Sequence, residues 1–184
     1  MKELIKNLRP LRDCWPADGI RPAAVLLLIQ KDGSGQHVLF IRRARTMNSH
    51  RGQIAFPGGR ADAADAGPVG TALRETREEL GIPAGSIRVV GSLRPQTAID
   101  RSLVLPFVGF TTATGADIRA NPAEVEEVLP VPLHQLTRTD SQPFGFTRFG
   151  KRRHSHFFRN GGNIIWGLTA EILYDADLQP PGPG

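Results

Sequence analysis

The residues of this chain best suited to chemistry are three glutamates in the string Arg74-Glu75-Thr76-Arg77-Glu78-Glu79-Leu80-Gly81-Ile82. On a helix each residue advances by about 100°, which places Glu79 at about 40° and Glu78 at about 300° from Glu75. The three carboxylates then share one arc of about 100°, while Leu73 and Leu80 fall at roughly 140–160°, suited to face a core. Like charges at these spacings destabilise a helix by roughly 0.2–0.5 kcal/mol per pair, so the cluster favours a compensating cation. Carboxylate oxygens are hard donors that select magnesium or manganese over zinc. Three glutamates alone better describe an acidic surface helix balanced by Arg74 and Arg77, and it is the surroundings that overturn that reading.

Upstream, Gln53–Phe56 reads as a short strand that Pro57-Gly58-Gly59 stops, and glycines there let a ligand approach the main chain. A loop of small and acidic residues follows from Arg60 to Gly70, containing Asp62 and Asp65. The helical pattern runs from Thr71 to Leu80, with Gly81 where a C-terminal cap is expected. A lone Pro-Gly-Gly is weak and so is a lone acidic helix. Strand, Gly-Gly turn, acidic loop and acidic helix in one register form a far more specific combination.

A larger frame must position these parts. Apolar runs at Ala23–Ile29 and His37–Ile41, joined by Lys31-Asp32-Gly33-Ser34-Gly35, predict a β-hairpin. Ile87–Leu93 and Leu103–Phe110 predict further strands, with a loop from Arg94 to Ser102 between them. Asn121-Pro122 opens an acidic stretch carrying Glu124, Glu126 and Glu127. Pro130 and Pro132 then bracket a turn into a short helix at Leu133–Leu136. Residues 144–159, with Phe144, Phe146, Phe149, Phe157 and Phe158, read as one or two strands. Asn163–Leu173 reads as a closing helix in which Trp166 packs into the core instead of offering a stacking platform for a base. Residues 1–20 read as an amphipathic lead-in, with Leu4, Ile5, Leu8 and Leu11 at helical spacing until Pro10 and Pro16 break it. No internal repeat is present. The pattern predicts an α/β class with helices packed around a mixed sheet, one domain over 1–178 and a disordered Pro/Gly tail over 179–184.

At 184 residues the chain is large enough to bury a real core, and its 40% hydrophobic and 22% charged content is ordinary for a globular protein. No apolar run approaches the roughly 20 residues that cross a bilayer, so no membrane partner is expected. The N-terminus lacks the pattern of a secretory signal, and the single Cys14 cannot form an internal disulfide; both point to the cytoplasm. The net charge of +5 includes two basic groups, Arg42, Arg43 and Arg45, and Lys151, Arg152 and Arg153. Basic surfaces attract phosphates. The chain has no aromatic-rich RNA-binding pattern, no zinc-finger spacing and no basic helix leading into heptads, which disfavours nucleic acid; the positive charge equally suits a small polyphosphate ligand or, for Lys151, Arg152 and Arg153, a plain solvated surface.

The stretch from Gly59 to Ile82 resembles the signature of the Nudix hydrolase superfamily: Gly, five residues, Glu, seven residues, then Arg-Glu-U-x-Glu-Glu-x-Gly-U, with U apolar. Here five residues separate Gly59 from Asp65, which stands where the family prefers Glu, eight residues separate Asp65 from Arg74, and Thr76 occupies an apolar slot. These departures are similar to the coenzyme A diphosphatase subgroup: Phe56-Pro57-Gly58-Gly59, Asp62 and Asp65, then Thr71-Ala72-Leu73-Arg74-Glu75, Glu78-Glu79 and Gly81. The arm Arg43-Ala44-Arg45-Thr46-Met47-Asn48-Ser49-His50-Arg51-Gly52-Gln53 resembles that subgroup's extra motif, with Met47 for its Leu and Asn48 for its Arg. Asparagine cannot supply the charged, forked phosphate contact of an arginine. Ile165-Trp166-Gly167-Leu168-Thr169-Ala170 resembles its closing segment.

The resemblance implies the Nudix fold, a mixed sheet sandwiched between helices. It also implies magnesium- or manganese-dependent attack of water on a nucleoside diphosphate linked to another group, foremost coenzyme A or its derivatives. Glu75, Glu78 and Glu79 would hold the metal, and Glu78 or Glu124 would be the general base. Arg45, His50 and Arg51 would meet the substrate's phosphates, and Gly58 and Gly59 would shape the turn on the substrate side. Arg74 would pair with Asp65 in a structural role. A homodimer stays open. Alternatives are a Nudix hydrolase of NADH, ADP-ribose, a dinucleoside polyphosphate or an oxidised nucleotide and, from another class, a non-catalytic Nudix-fold RNA-binding module.

Overall fold

A computed structural model of the chain describes residues 4–16, 22–46, 50–98, 100–148 and 150–179. The elements are β1 (Ala23–Asp32), β2 (Gly35–Arg43), β3 (Ile54–Ala55), β4 (Gly58–Arg60), α1 (Pro68–Leu80), β5 (Ile87–Ser92), β6 (Gln96–Thr97), β7 (Leu103–Thr111) and β8 (Val125–Pro132). Then come β9 (Gln142–Arg148), β10 (Lys151–Asn160), β11 (Asn163–Ile165) and α2 (Gly167–Ala176). The main sheet runs β3-β2-β1-β7-β5, with β4 also on β1, β6 on β7 and β8 on β2. Strands β1 and β7 are parallel, and the other pairs are antiparallel, so the sheet is mixed. A second sheet has the order β11-β10-β9.

Alternation along β1 and β2 explains the layers. Ala24, Leu26, Leu28, Leu39 and Ile41 pack with Ala72 and Leu80 of α1. Leu27, Ile29, Val38 and Phe40 point the other way and pack with Ile172 and Leu173 of α2. The sheet therefore lies between two helices, as expected. With both faces covered, β1 is a continuous apolar run instead of an alternating one.

A fork in the sheet creates the platform for chemistry. Strands β1 and β2 pair from the hairpin turn back only to Leu28↔Leu39. Beyond that point β2 takes β3 as partner, at Arg42↔Ile54, and β1 takes β4, at Val25↔Gly58. The Leu26 N–H donates to the Pro57 carbonyl at 2.8 Å, closing the apex. Gly58 sits in this fork at φ 141°, where a Cβ would collide with the Ala24 carbonyl and come within 2.6 Å of Val25 Cα. Only glycine fits there.

The structure departs from the sequence pattern in several elements. Residues 4–16 form no helix; Ile5 is buried in an antiparallel bridge to Leu178, and Arg9 bridges Ser92. Helix α1 starts at Pro68, ahead of Thr71. Its N-cap, Gly67, has no capping side chain, and the orphan Val69 N–H is taken by Asp13 from far upstream at 2.9 Å. Strand β8 replaces the turn expected around Pro130 and Pro132; among the described residues it pairs only with β2, the edge setting in which proline is tolerated. The loop 94–102 carries the short β6. Asn163–Ile165 is a strand, so the last helix begins only at Gly167, and Trp166 is its N-cap at 47% exposure, not a core residue. Met47, Asn48, Ser49, Phe149 and residues 180–184 lie outside the described residues.

Candidate active site

Helix α1 and the β3–β4 segment in the fork meet at Glu79. Its side chain is 1% exposed, with Oε2 accepting the Gly58 N–H at 2.9 Å and Oε1 lying 3.6 Å from Nη1 of Arg43. Burial pushes this carboxyl up to about 8, against the lowering effects of the Gly58 hydrogen bond and of Arg43; Glu75 and Glu124 raise it further. Glu75 lies one turn earlier, over Gly59, where a Cβ would stand 2.6 Å from its Oε1. Burial raises the Glu75 carboxyl too, and the charges of Glu78 and Glu124 add to the shift. Glu75, Glu79 and Glu124 thus form one mutually repelling group. Glu124 arrives from the segment after β7, where Asn121 Nδ2 donates to its Oε1 at 3.3 Å and its carbonyl accepts the Ala44 N–H at 2.8 Å.

Arg74 gathers the acidic loop. Its Nε and Nη2 donate to the two oxygens of Asp65 at 3.0 and 3.1 Å, and Nη2 also donates to the Arg60 carbonyl at 3.0 Å. Its Nη1 donates to Glu75 at 2.9 Å and to Glu78 at 2.8 Å. Asp65 accepts from Thr71 Oγ1 at 2.7 Å and from the Asp62 N–H at 2.8 Å. The Arg74 guanidinium holds its carboxyl down to about 2. Glu78 is 43% exposed and turned to Arg74. Thr76, in the slot where the signature has an apolar residue, is buried and donates its hydroxyl to the Ala72 carbonyl at 2.7 Å, so its polar atom is satisfied within the helix.

The donor set suits a divalent hard cation in kind: carboxylate oxygens, two of them raised by burial, gathered over two glycines. Among the described residues no three His, Cys, Asp or Glu groups are closed into a metal cage, and Arg74 holds Glu75 and Glu78. A cation would have to draw those two away from the arginine.

The arm between β2 and β3 is pinned at its base. The Arg43 N–H donates to the Gln53 carbonyl and the Gly52 N–H to the Arg43 carbonyl, each at 3.0 Å. Of the candidate phosphate contacts on the arm, Arg45 is 84% exposed and 3.6 Å from Glu126, and His50 Nδ1 lies 3.0 Å from Gln53 Oε1. Arg51 is exposed. The structure brings Glu75, Glu79, Glu124, Gly58 and Gly59 together, and leaves Arg45 and His50 engaged outside that group.

Two residues escape a sequence reading. Arg43 is visible in the sequence only as one of a basic trio and as the first residue of the arm, and it approaches Glu79 where a register shift falls between Arg42 and Arg43 against β8. Asn121 reads as a turn opener, which it is through its Oδ1 to the Ala123 N–H at 3.1 Å. Its N–H also donates to the Glu79 carbonyl at 2.9 Å, tying the Glu124 segment to the end of α1.

The family model of the NUDIX domain matches residues 19–151. A Nudix hydrolase NudL of Photorhabdus laumondii, described as uncharacterized, is 39% identical over 89% of this chain and 87% of its own. The mitochondrial coenzyme A diphosphatase NUDT8 of Homo sapiens is 36% identical over 89% of this chain and 72% of its own. In fold, the crystal structure of a C. elegans Ap4A hydrolase binary complex superposes with a TM-score of 0.52 at 17% identity, over 61% of this chain and 80% of that one. Among the described residues no helix is long and apolar enough to cross a membrane.

Proposed function

The chain belongs to the Nudix hydrolase family, whose members cleave diphosphate bonds, and on that premise we propose that its substrate is coenzyme A or a coenzyme A derivative, split to adenosine 3′,5′-bisphosphate and 4′-phosphopantetheine. The observation that carries the catalytic half of this reading is the buried Glu79, fixed by Gly58 and facing Glu75 and Glu124. The substrate half draws on the similarity to NUDT8 and on the arm before β3.

Glu75 and Glu79, joined by Glu78 once it leaves Arg74, would hold magnesium or manganese. When bound, such an ion supplies neutralisation of the diphosphate and acidification of water. The chain's own groups do the rest. Gly58 and Gly59 leave room for the diphosphate against the backbone. Glu124, oriented by Asn121 and close enough to repel both Glu75 and Glu79, is the better placed general base, taking a proton from the attacking water as its oxygen bonds to phosphorus and the bridging oxygen departs. Glu78 is the weaker candidate because Arg74 engages it.

Incubation with coenzyme A and magnesium, followed by product identification by mass spectrometry, tests the proposal. The two named products are expected. Inert coenzyme A and acyl-coenzyme A, beside cleavage of NADH, ADP-ribose or a dinucleoside polyphosphate, would reassign the substrate and leave the metal site standing.

A further inference from the structure

The helix that carries the glutamates begins on a residue from outside the matched domain: residues 19–151 match the NUDIX model, and Asp13 precedes them. Pro68 at the head of α1 has no N–H to satisfy, and Gly67 at the N-cap has no side chain to offer. The next donor, the Val69 N–H, is taken by Asp13 Oδ1 at 2.9 Å. Gly67 suits this arrangement, since a Cβ there would stand 2.6 Å from the same oxygen. A pinned strap delivers the carboxylate. The Arg9 N–H donates to the Ser92 carbonyl at 2.9 Å, and the Ser92 N–H donates back to the Arg9 carbonyl at 3.1 Å. Ser92 Oγ donates to the Pro10 carbonyl at 3.0 Å, three residues before Asp13. Gly91 lets the strap lie this close, because a Cβ would come within 2.5 Å of the Arg9 carbonyl oxygen.

More than a helix end hangs on this cap. Thr71 closes the first turn, its N–H donating to the Gly67 carbonyl at 3.1 Å, and its hydroxyl donates to Asp65 at 2.7 Å. Asp65 is the carboxylate that Arg74 grips with Nε and Nη2, and the same guanidinium reaches Glu75 and Glu78 through Nη1. We propose that Asp13 is a positioning residue for the metal-binding carboxylates: by capping α1 from the strap it fixes the Thr71, Asp65 and Arg74 chain, and through that chain Glu75 and Glu78. Fraying of the first turn would release Thr71 from Asp65 and let the acidic loop and Arg74 shift together. An N-cap side chain ordinarily belongs to the residue just before the helix. Supplied from 56 residues upstream, it makes the geometry of the carboxylates depend on the strap staying docked on β5. The inference rests on the metal site proposed above and is independent of which nucleotide is cleaved.

Two measurements on the whole chain test this. The Asp62 N–H donates to Asp65 at 2.8 Å and so reports on the acidic loop. In the metal-free protein its hydrogen exchange should be about fivefold faster in Asp13→Ala. The manganese concentration at the midpoint of a thermal-shift titration should rise by roughly threefold in that variant, less than the tenfold or more expected for a direct partner of a metal ligand. Asp13→Asn keeps an acceptor oxygen and should match the parent in both. The double variant Asp13→Ala, Gly67→Ser returns the cap to the helix's own N-cap, where the backbone is already extended at φ −170° and ψ 173°, and should restore both readouts. A lower melting temperature in Asp13→Ala with unchanged Asp62 exchange and an unchanged manganese midpoint would leave Asp13 a purely structural role and overturn the proposal. Failure of the serine to restore the two readouts overturns it as well. A parent protein without any manganese response would remove the metal site and this inference with it, whereas inert coenzyme A beside a normal manganese response would reassign only the substrate.

Discussion

Glu79 carries a conflict that only ligand binding resolves. Burial raises its carboxyl to about 8, and an acid whose folded value exceeds its unfolded one favours the folded state most below the unfolded value of 4.5. That advantage is lost as pH rises through about 8 in the metal-free protein. Cation binding needs the ionised carboxylate, so its stabilising effect grows across the same window. The rise in melting temperature caused by manganese should therefore be larger at pH 8.5 than at pH 6. Glu79→Gln should abolish the rise at both and lower kcat/KM by on the order of a hundredfold or more. An undiminished manganese shift in that variant would remove Glu79 from the metal site.

At the scale of elements, the loop before α1 is locked to the helix by one arginine. Asp65, held down to about 2 by Arg74, contributes stability that is complete above its unfolded value of 3.8 and disappears as pH falls toward about 2. Asp65→Asn should cost about 2 kcal/mol, a drop of roughly 4–8 °C in melting temperature, and should flatten the acid limb of the stability curve between pH 4 and 2. The same element shows what a sequence reveals. The helix, its Gly81 cap at φ 71° and the arc of glutamates follow from local periodicity and backbone chemistry. The start of α1 does not, because its free N–H is met by Asp13, 56 residues away. The depth of Glu79 is likewise invisible in the string, since burial comes from the fork between β1 and β2. Trp166 reads as a core residue because Ile165 and Leu168 surround it with apolar side chains, whereas its place at a strand-to-helix junction leaves the indole exposed. Arg43 and Asn121 reach the site only through a bulge and a long connection, which no local pattern encodes.

Across the whole molecule, the two-helix sandwich supplies the frame, and the longer connections leave it at defined points. The arm between β2 and β3 is the clearest of these. Its base is closed by the reciprocal hydrogen bonds among Arg43, Gly52 and Gln53, and these do not depend on the side chains in between. The arm is therefore an interchangeable cartridge: its contents can be exchanged while the fork, the glycines and the carboxylates keep their places. Replacing residues 45–51 by a Gly/Ser loop of equal length should leave manganese stabilisation intact and raise KM for coenzyme A with little change in kcat. Loss of the manganese shift in that chimera would show the arm and the carboxylates to be one unit. In the modular case, substrate range in such proteins can drift through one surface excursion while the hydrolytic centre stays fixed.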